Sequence, residues 1–236
     1  MKKDTHIIAR SGWCSVEHDQ SMLAYAAKTS GRKSPRILFM NTASSSTPRY
    51  AEGAQKAIEA AGGVFSTFDF FGSIQTDYAD FITSHDVIYV GGGNTRSMLA
   101  LWREYGVDKA LRDAWQNGVV LTGFSAGAIC WFEQCLTDAL QGTPQVINGR
   151  GFLRGSACPH YDVEPSRRPT YMDLASKQKI SAGYALVDFT AIHFVNGEPA
   201  RLLTTQEGKA PVYVNHDGSE RLLDATMLGN NLEKQV

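Results

Sequence analysis

Three short apolar runs punctuate the first half of the chain: "RILFM" at 36–40, "DVIYV" at 86–90 and "VVLT" at 119–122. Nearly unbroken apolar runs of this length predict strands buried on both faces, as in a parallel sheet covered by helices. Between them the period changes. Tyr50, Ala54, Ala57, Ile58 and Ala61 fall on one helical face, and Gly62-Gly63 closes it. Val107, Ala110, Leu111, Ala114 and Trp115 repeat the pattern up to Asn117-Gly118. Strand alternating with helix predicts an α/β fold built from right-handed crossovers.

The second half reads differently. "YALVDFTAIHFVNGEPARLLTT" (184–205) predicts strands joined by a turn at Asn196-Gly197, and "APVYVNHDGSERL" (210–222) predicts another strand with a turn around Asp217-Gly218. Both are expected as antiparallel additions to the edge of the parallel sheet. No repeat, low-complexity tract or linker interrupts the chain, so one domain over 1–236 is the simplest organisation.

Composition narrows the function classes. The 236 residues are 43% apolar and 20% charged, with 23 Lys plus Arg against 24 Asp plus Glu. That balance draws the chain neither to nucleic acid nor to anionic lipid. The N-terminus lacks the apolar core of a signal peptide, and no apolar run approaches a membrane span. Cys14, Cys130, Cys135 and Cys158 have no CxxC spacing and no disulfide density. Free thiols and a cytoplasmic location are expected, with no metal and no organic cofactor.

Candidate chemistry sits where the third apolar run ends. Gly123-Phe124-Ser125-Ala126-Gly127 satisfies G-x-S-x-G between a buried strand and a helix-capable segment. Such a turn lifts a serine oxygen above the sheet, and the N–H groups opening the next helix suit an oxyanion. The bland reading, close strand–helix packing between small residues, competes on this motif alone. Gly91-Gly92-Gly93-Asn94 follows another buried strand. It fails the dinucleotide pattern, since Arg96 stands where the third glycine belongs, and it fails the P-loop pattern. Its backbone N–H groups suit the second half of an oxyanion hole; a plain turn capped by Asn94 or Thr95 is the alternative.

A serine nucleophile needs a base, and the base an orienting acid. His6 and His18 lie near the start, His85 on the wrong side of a strand, His193 within a strand and His216 at a turn. His160, in the polar loop "SACPHYDVEPSRRP", is the favoured base.

"GGGNT", "GFSAGAICWFE" and "CPHYD", in this order and spacing, resemble the peptidase E family, the serine peptidases of family S51, whose relatives include cyanophycinases. The resemblance runs from the first strand to "ALVDFTAIHFVNGE". It implies a class I glutamine amidotransferase-like fold, a mostly parallel sheet flanked by helices with antiparallel strands added in the C-terminal part. It also implies a chain order of nucleophile, histidine, acid: Ser125, His160 and Asp188. The best-known members carry glutamate then glycine where this chain has Asp188-Phe189. Asp138 is the rival acid, and Asp162 lies too near His160 in sequence.

The oxyanion donors implied are the N–H of Ala126 and one from Gly92 or Gly93. The substrate implied is a small peptide cleaved after an N-terminal aspartate. Arg167 and Arg168 are the expected readers of its carboxylate, and Asn94 either contacts substrate or caps a helix. The alternatives are a cyanophycinase-like β-aspartyl peptidase or another serine hydrolase, and, further off, a non-catalytic binding protein. The sequence leaves a homodimer open.

Overall fold

In the computed structural model, which describes residues 3–12, 14–68, 70, 77–140 and 142–228, the apolar runs become strands. The first five are β1 (His6–Arg10), β2 (Arg36–Met40), β3 (Val64–Phe68), β4 (Val87–Val90) and β5 (Val120–Phe124). Nine shorter or more polar strands follow. They are β6 (Phe132–Thr137), β7 (Gln145–Asn148), β8 (Leu153–Cys158), β9 (Gly183–Ala185), β10 (Thr190–Val195), β11 (Glu198–Thr204), β12 (Val212–Val214), β13 (Glu220–Leu222) and β14 (Thr226–Met227). The helices are α1 (Val16–Thr29), α2 (Pro48–Ala60), α3 (Tyr78–Thr83), α4 (Thr95–Glu104), α5 (Val107–Gln116), α6 (Ala126–Ile129) and α7 (Arg167–Ser176).

One sheet runs β14-β11-β10-β1-β5-β4-β2-β3. Strands β1, β5, β4, β2 and β3 are mutually parallel. Their side chains alternate between two apolar layers, which is why the sequence shows runs rather than alternation. Ile7, Leu38, Met40, Ile88 and Val90 enter one layer with Trp102 and Leu111; Ile8, Ile37, Phe39, Val87 and Tyr89 enter the other with Leu23, Ala57 and Ile58. The face predicted for α2 holds at Ala54, Ala57 and Ile58, whereas Tyr50 is exposed.

A second sheet, β13-β12-β9-β8-β6-β7, was not anticipated as such. β10 and β11 do extend the parallel sheet antiparallel beside β1, turning at Asn196-Gly197, both with positive φ. β12 and β13 do not: β12 pairs with β9 in the second sheet, where Tyr213 packs edge-on to Tyr184 at 5.2 Å between centroids. The run 184–205 is therefore split, with Tyr184 in one sheet and β10 in the other, and Asp188 lies on the crossover between them.

The helix after Ser125 is a single turn, and the chain enters β6 three residues later. One apolar cluster, including Trp102, Trp131, Phe132 and Phe194, spans both sheets. All four cysteines are free thiols. Among the described residues no helix is long and apolar enough to cross a membrane.

Candidate active site

Ser125 stands at the carboxyl end of β5 with φ 51° and ψ −117°. For a residue with a Cβ this backbone costs on the order of 1–3 kcal/mol and persists only when its surroundings over-determine it. Two features do so. The Ser125 N–H donates to the Ser11 carbonyl at 2.6 Å, just past β1. The flanking glycines let strand and helix close: a Cβ on Gly127 would meet the Val90 carbonyl at 2.2 Å, and one on Gly123 would meet the Gly127 carbonyl at 2.4 Å.

His160 follows β8, in a positive-φ conformation of 54°. Its Nε2 lies 3.0 Å from Ser125 Oγ, and its Nδ1 lies 3.2 Å from Asp188 Oδ1. Asp138 is elsewhere, paired with Arg167 at 2.9 Å. Sequence reasoning missed Ser11, which ties these groups together. Its hydroxyl lies 2.6 Å from Asp188 Oδ1 and 2.8 Å from the Leu186 carbonyl, and it accepts from the His160 N–H at 3.0 Å. Gly12 packs on the pair, since a Cβ there would stand 2.8 Å from His160 Cε1 and 3.0 Å from Asp188 Oδ1. The signal available was position: "SG" follows an apolar run, at the strand end where chemistry gathers in such sheets. Burial alone would raise the Asp188 pKa, but hydrogen bonds from His160 and Ser11 and the nearby imidazoles hold it below the usual carboxylate value.

The glycine loop after β4 lies against the serine, because a Cβ on Gly92 would come within 3.2 Å of Ser125 Cβ. Ser44 Oγ donates to the Gly92 carbonyl at 2.6 Å, so the trans peptide directs the Gly93 N–H away from Ser44. Gly93 has φ 131°, and a Cβ there would overlap the Ala43 carbonyl at 2.3 Å. Neither the Gly92 nor the Gly93 N–H is matched with an acceptor among the described residues.

A cavity of about 770 Å³ opens on Ser125 and His160. The arginines expected to serve it lie elsewhere. Arg167 is buried in α7, where Glu164, Asp138 and the Leu136 carbonyl engage its guanidinium. Arg168 is exposed and pairs with Glu220. Asn94 is occupied as a cap: Oδ1 accepts from the Ser97 N–H at 2.9 Å and Nδ2 donates to the Ala139 carbonyl at 3.0 Å. None of the three lines the cavity. Asn41, Thr47, Arg49 and Tyr50 do, with Asp19 and Tyr89. A polar segment opening an amphipathic helix gave no cue to them. Asp19 is balanced by the buried Arg10 at 2.7 Å and accepts from the Tyr89 hydroxyl at 2.8 Å.

The remaining histidines of this region are structural. His193 bridges His6 (3.0 Å) and the Tyr25 hydroxyl (2.8 Å), and His18 Nδ1 meets Thr205 Oγ1 at 2.6 Å. Burial first, then the positive charge of Arg10, brings the His18 pKa to about 4; burial first, then His6 and Arg201, brings that of His193 to about 4. The unfolded chain titrates near 6.5 and so takes up these protons first as pH falls. Their contribution to stability is whole above pH 6.5 and is lost progressively between 6.5 and 4. Tm should be level from pH 8 to 6.5 and fall below that, with a shallower fall in His193→Gln. A variant that loses stability as steeply as the parent would contradict this account.

The model of peptidase family S51 matches residues 7–202 of the chain. A protein of Bacillus subtilis, "Uncharacterized peptidase YgaJ", is 41% identical over 222 residues, covering 92% of this chain and 96% of that one. "Peptidase E" of Pasteurella multocida is 30% identical over 138 residues, which is 53% of this chain and 57% of the relative. A crystal structure of a peptidase from an acI-B1 actinobacterium superposes with a TM-score of 0.66 at 16% identity, covering 95% of both chains, and so shares the fold.

Proposed function

The chain belongs to peptidase family S51 and has that family's hydrolase function; on that premise we propose that it is a serine exopeptidase that cleaves the bond after an N-terminal aspartate. The observation that carries the reading is the hydrogen-bonded run Ser125 Oγ to His160 Nε2 and His160 Nδ1 to Asp188, ending on a serine held at positive φ. Aspartate preference is what the resemblance to the peptidase E family implies, and proteins named "Peptidase E" are among the chain's relatives.

His160 takes the Ser125 proton as Oγ attacks the scissile carbonyl, and Asp188 holds the imidazole in the tautomer that presents Nε2 as acceptor. The oxyanion is received by the Ala126 N–H and by one from Gly92 or Gly93, with each donor worth roughly 100- to 1000-fold in turnover. His160 then protonates the leaving amine, and water, activated by the same imidazole, releases the acyl group from Ser125. No step requires a metal or an organic cofactor.

The test is hydrolysis of Asp-Leu and Ala-Leu by purified protein. Rapid cleavage of Asp-Leu alone is expected. Equal cleavage of both would remove the aspartate preference, and cleavage only of β-aspartyl linkages would move the assignment to a cyanophycinase-like peptidase.

A further inference from the structure

With Arg167 and Arg168 both engaged in ion pairs away from the cavity, the expected reader of a substrate carboxylate is missing from the site. The cavity nonetheless carries a cation. Among its described lining residues the permanent positive charge is Arg49, on the first turn of α2. Arg49 is exposed to the cavity mouth and forms no ion pair among the described residues, in contrast to Arg10, Arg150, Arg167 and Arg168. Binding a ligand carboxylate there breaks no existing pair. The carboxylate that also lines the cavity, Asp19, is already neutralised by Arg10, so Arg49 sets the charge that an incoming ligand meets.

A second observation points to a ligand. Asn41, just past the end of β2, is 2% exposed, and its Oδ1 has no hydrogen-bond partner among the described residues. The amide cannot be turned to hide this acceptor, because its Nδ2 donates to the Thr47 carbonyl at 3.0 Å and the reverse orientation would set two acceptors against each other. Asn41 thus sits between the glycine loop, where a Cβ on Gly91 would be 3.4 Å from Oδ1, and the segment that opens α2. A buried acceptor left unpaired destabilises the empty site, and an N–H from a bound ligand would relieve it. A free guanidinium and an unpaired acceptor on one cavity call for a molecule with a carboxylate and an N–H, which is the description of an acidic peptide.

We propose that Arg49 is the specificity-determining residue that reads the substrate carboxylate. The assignment rests on the peptidase reading above. Two groups share this chemistry: the side-chain carboxylate of an N-terminal aspartate, and the C-terminal carboxylate of a dipeptide. Planar bidentate pairing suits arginine to either.

The experiment compares Arg49→Ala, Arg49→Lys and the parent protein on Asp-Leu and Asp-Leu-amide. Arg49→Ala should lower kcat/KM on Asp-Leu roughly 100-fold, mostly through KM, as expected when binding common to ground and transition states is removed. Arg49→Lys should recover part of the loss. The same loss on the amide assigns the side-chain carboxylate, and a loss confined to the free dipeptide assigns the C-terminal one. Arg49→Ala within threefold of the parent on both substrates, or the loss appearing in Arg168→Ala instead, would overturn the proposal. Should the parent cleave neither substrate, the peptidase reading fails by itself, and calorimetry with succinate judges Arg49 independently. Binding lost in Arg49→Ala upholds the reader, and no binding to the parent protein rejects it.

Discussion

Ser125→Ala is expected to give a folded protein whose peptide hydrolysis is lost by about a millionfold, the size of effect seen when the nucleophile of a serine–histidine–acid unit is removed. In the proposed mechanism Oγ is the atom on which the acyl-enzyme forms, and its neighbours offer no substitute. The hydroxyl of Ser11 is fully buried and committed to Asp188, Leu186 and His160. Cys14 is half-buried, and burial pushes its thiol up to about 11, so almost no thiolate exists at neutral pH. The fold should survive, because Ser125 is held through its backbone N–H rather than its side chain. Steady-state hydrolysis of Asp-Leu, with Tm and a fluorophosphonate label read in parallel, checks this. Residual turnover above about one per cent of the parent would show that the nucleophile lies elsewhere.

Asp188→Asn should be the second largest loss, about 10⁴-fold in kcat with KM little changed, the scale found when a triad acid becomes its amide. Asp188 Oδ1 faces both Ser11 Oγ and His160 Nδ1. As a carboxylate it accepts from both, and in the proposed mechanism it fixes the imidazole tautomer and stabilises the imidazolium formed during attack. An amide loses the charge and admits the ring with its proton on Nε2, facing Ser125. Asp138→Asn is the informative partner experiment, since Asp138 contacts Arg167 and not His160. That change should lower Tm through the weakened Arg167 pair while kcat stays within a fewfold. If Asp138→Asn lost turnover and Asp188→Asn kept it, the two carboxylates would exchange roles.

The parallel strands were legible because burial on both faces leaves unbroken apolar runs, and the turn around Ser125 was legible because close packing against Val90 excludes any residue but glycine at 123 and 127. The second sheet was not. Strands such as "FEQCLT", "QVIN" and "LRGSAC" mix polar and apolar residues over six positions or fewer, too short to show a period. The residues lining the cavity were not legible for a different reason. Arg167 and Arg168 look alike on a loop, and sequence does not reveal that one is sunk among three acceptors. The departure at Asp188-Phe189 also acquires a physical meaning. Phe189 has φ 68°, a conformation that glycine adopts without cost. Where the resemblance to peptidase E implies glycine, this chain holds a phenylalanine in that conformation, with a bond from its N–H to Cys14 Sγ and edge contact with His18.

β1 lies between β5 and β10, and Ser11 at its end touches both Ser125 and Asp188. The N-terminal strand therefore stays without its second neighbour until residues 190–195 have been synthesised. During translation, the chain would leave the ribosome as an unassembled catalyst for most of its length, since domains gain their long-range pairings only when the later partner emerges. A hydrolase wired in this way has its timing written into its topology. Fragments that stop short of residue 188 lack both the acid of the proposed mechanism and the strand that frames it, so a prematurely terminated chain would carry the proposed nucleophile without the means to use it.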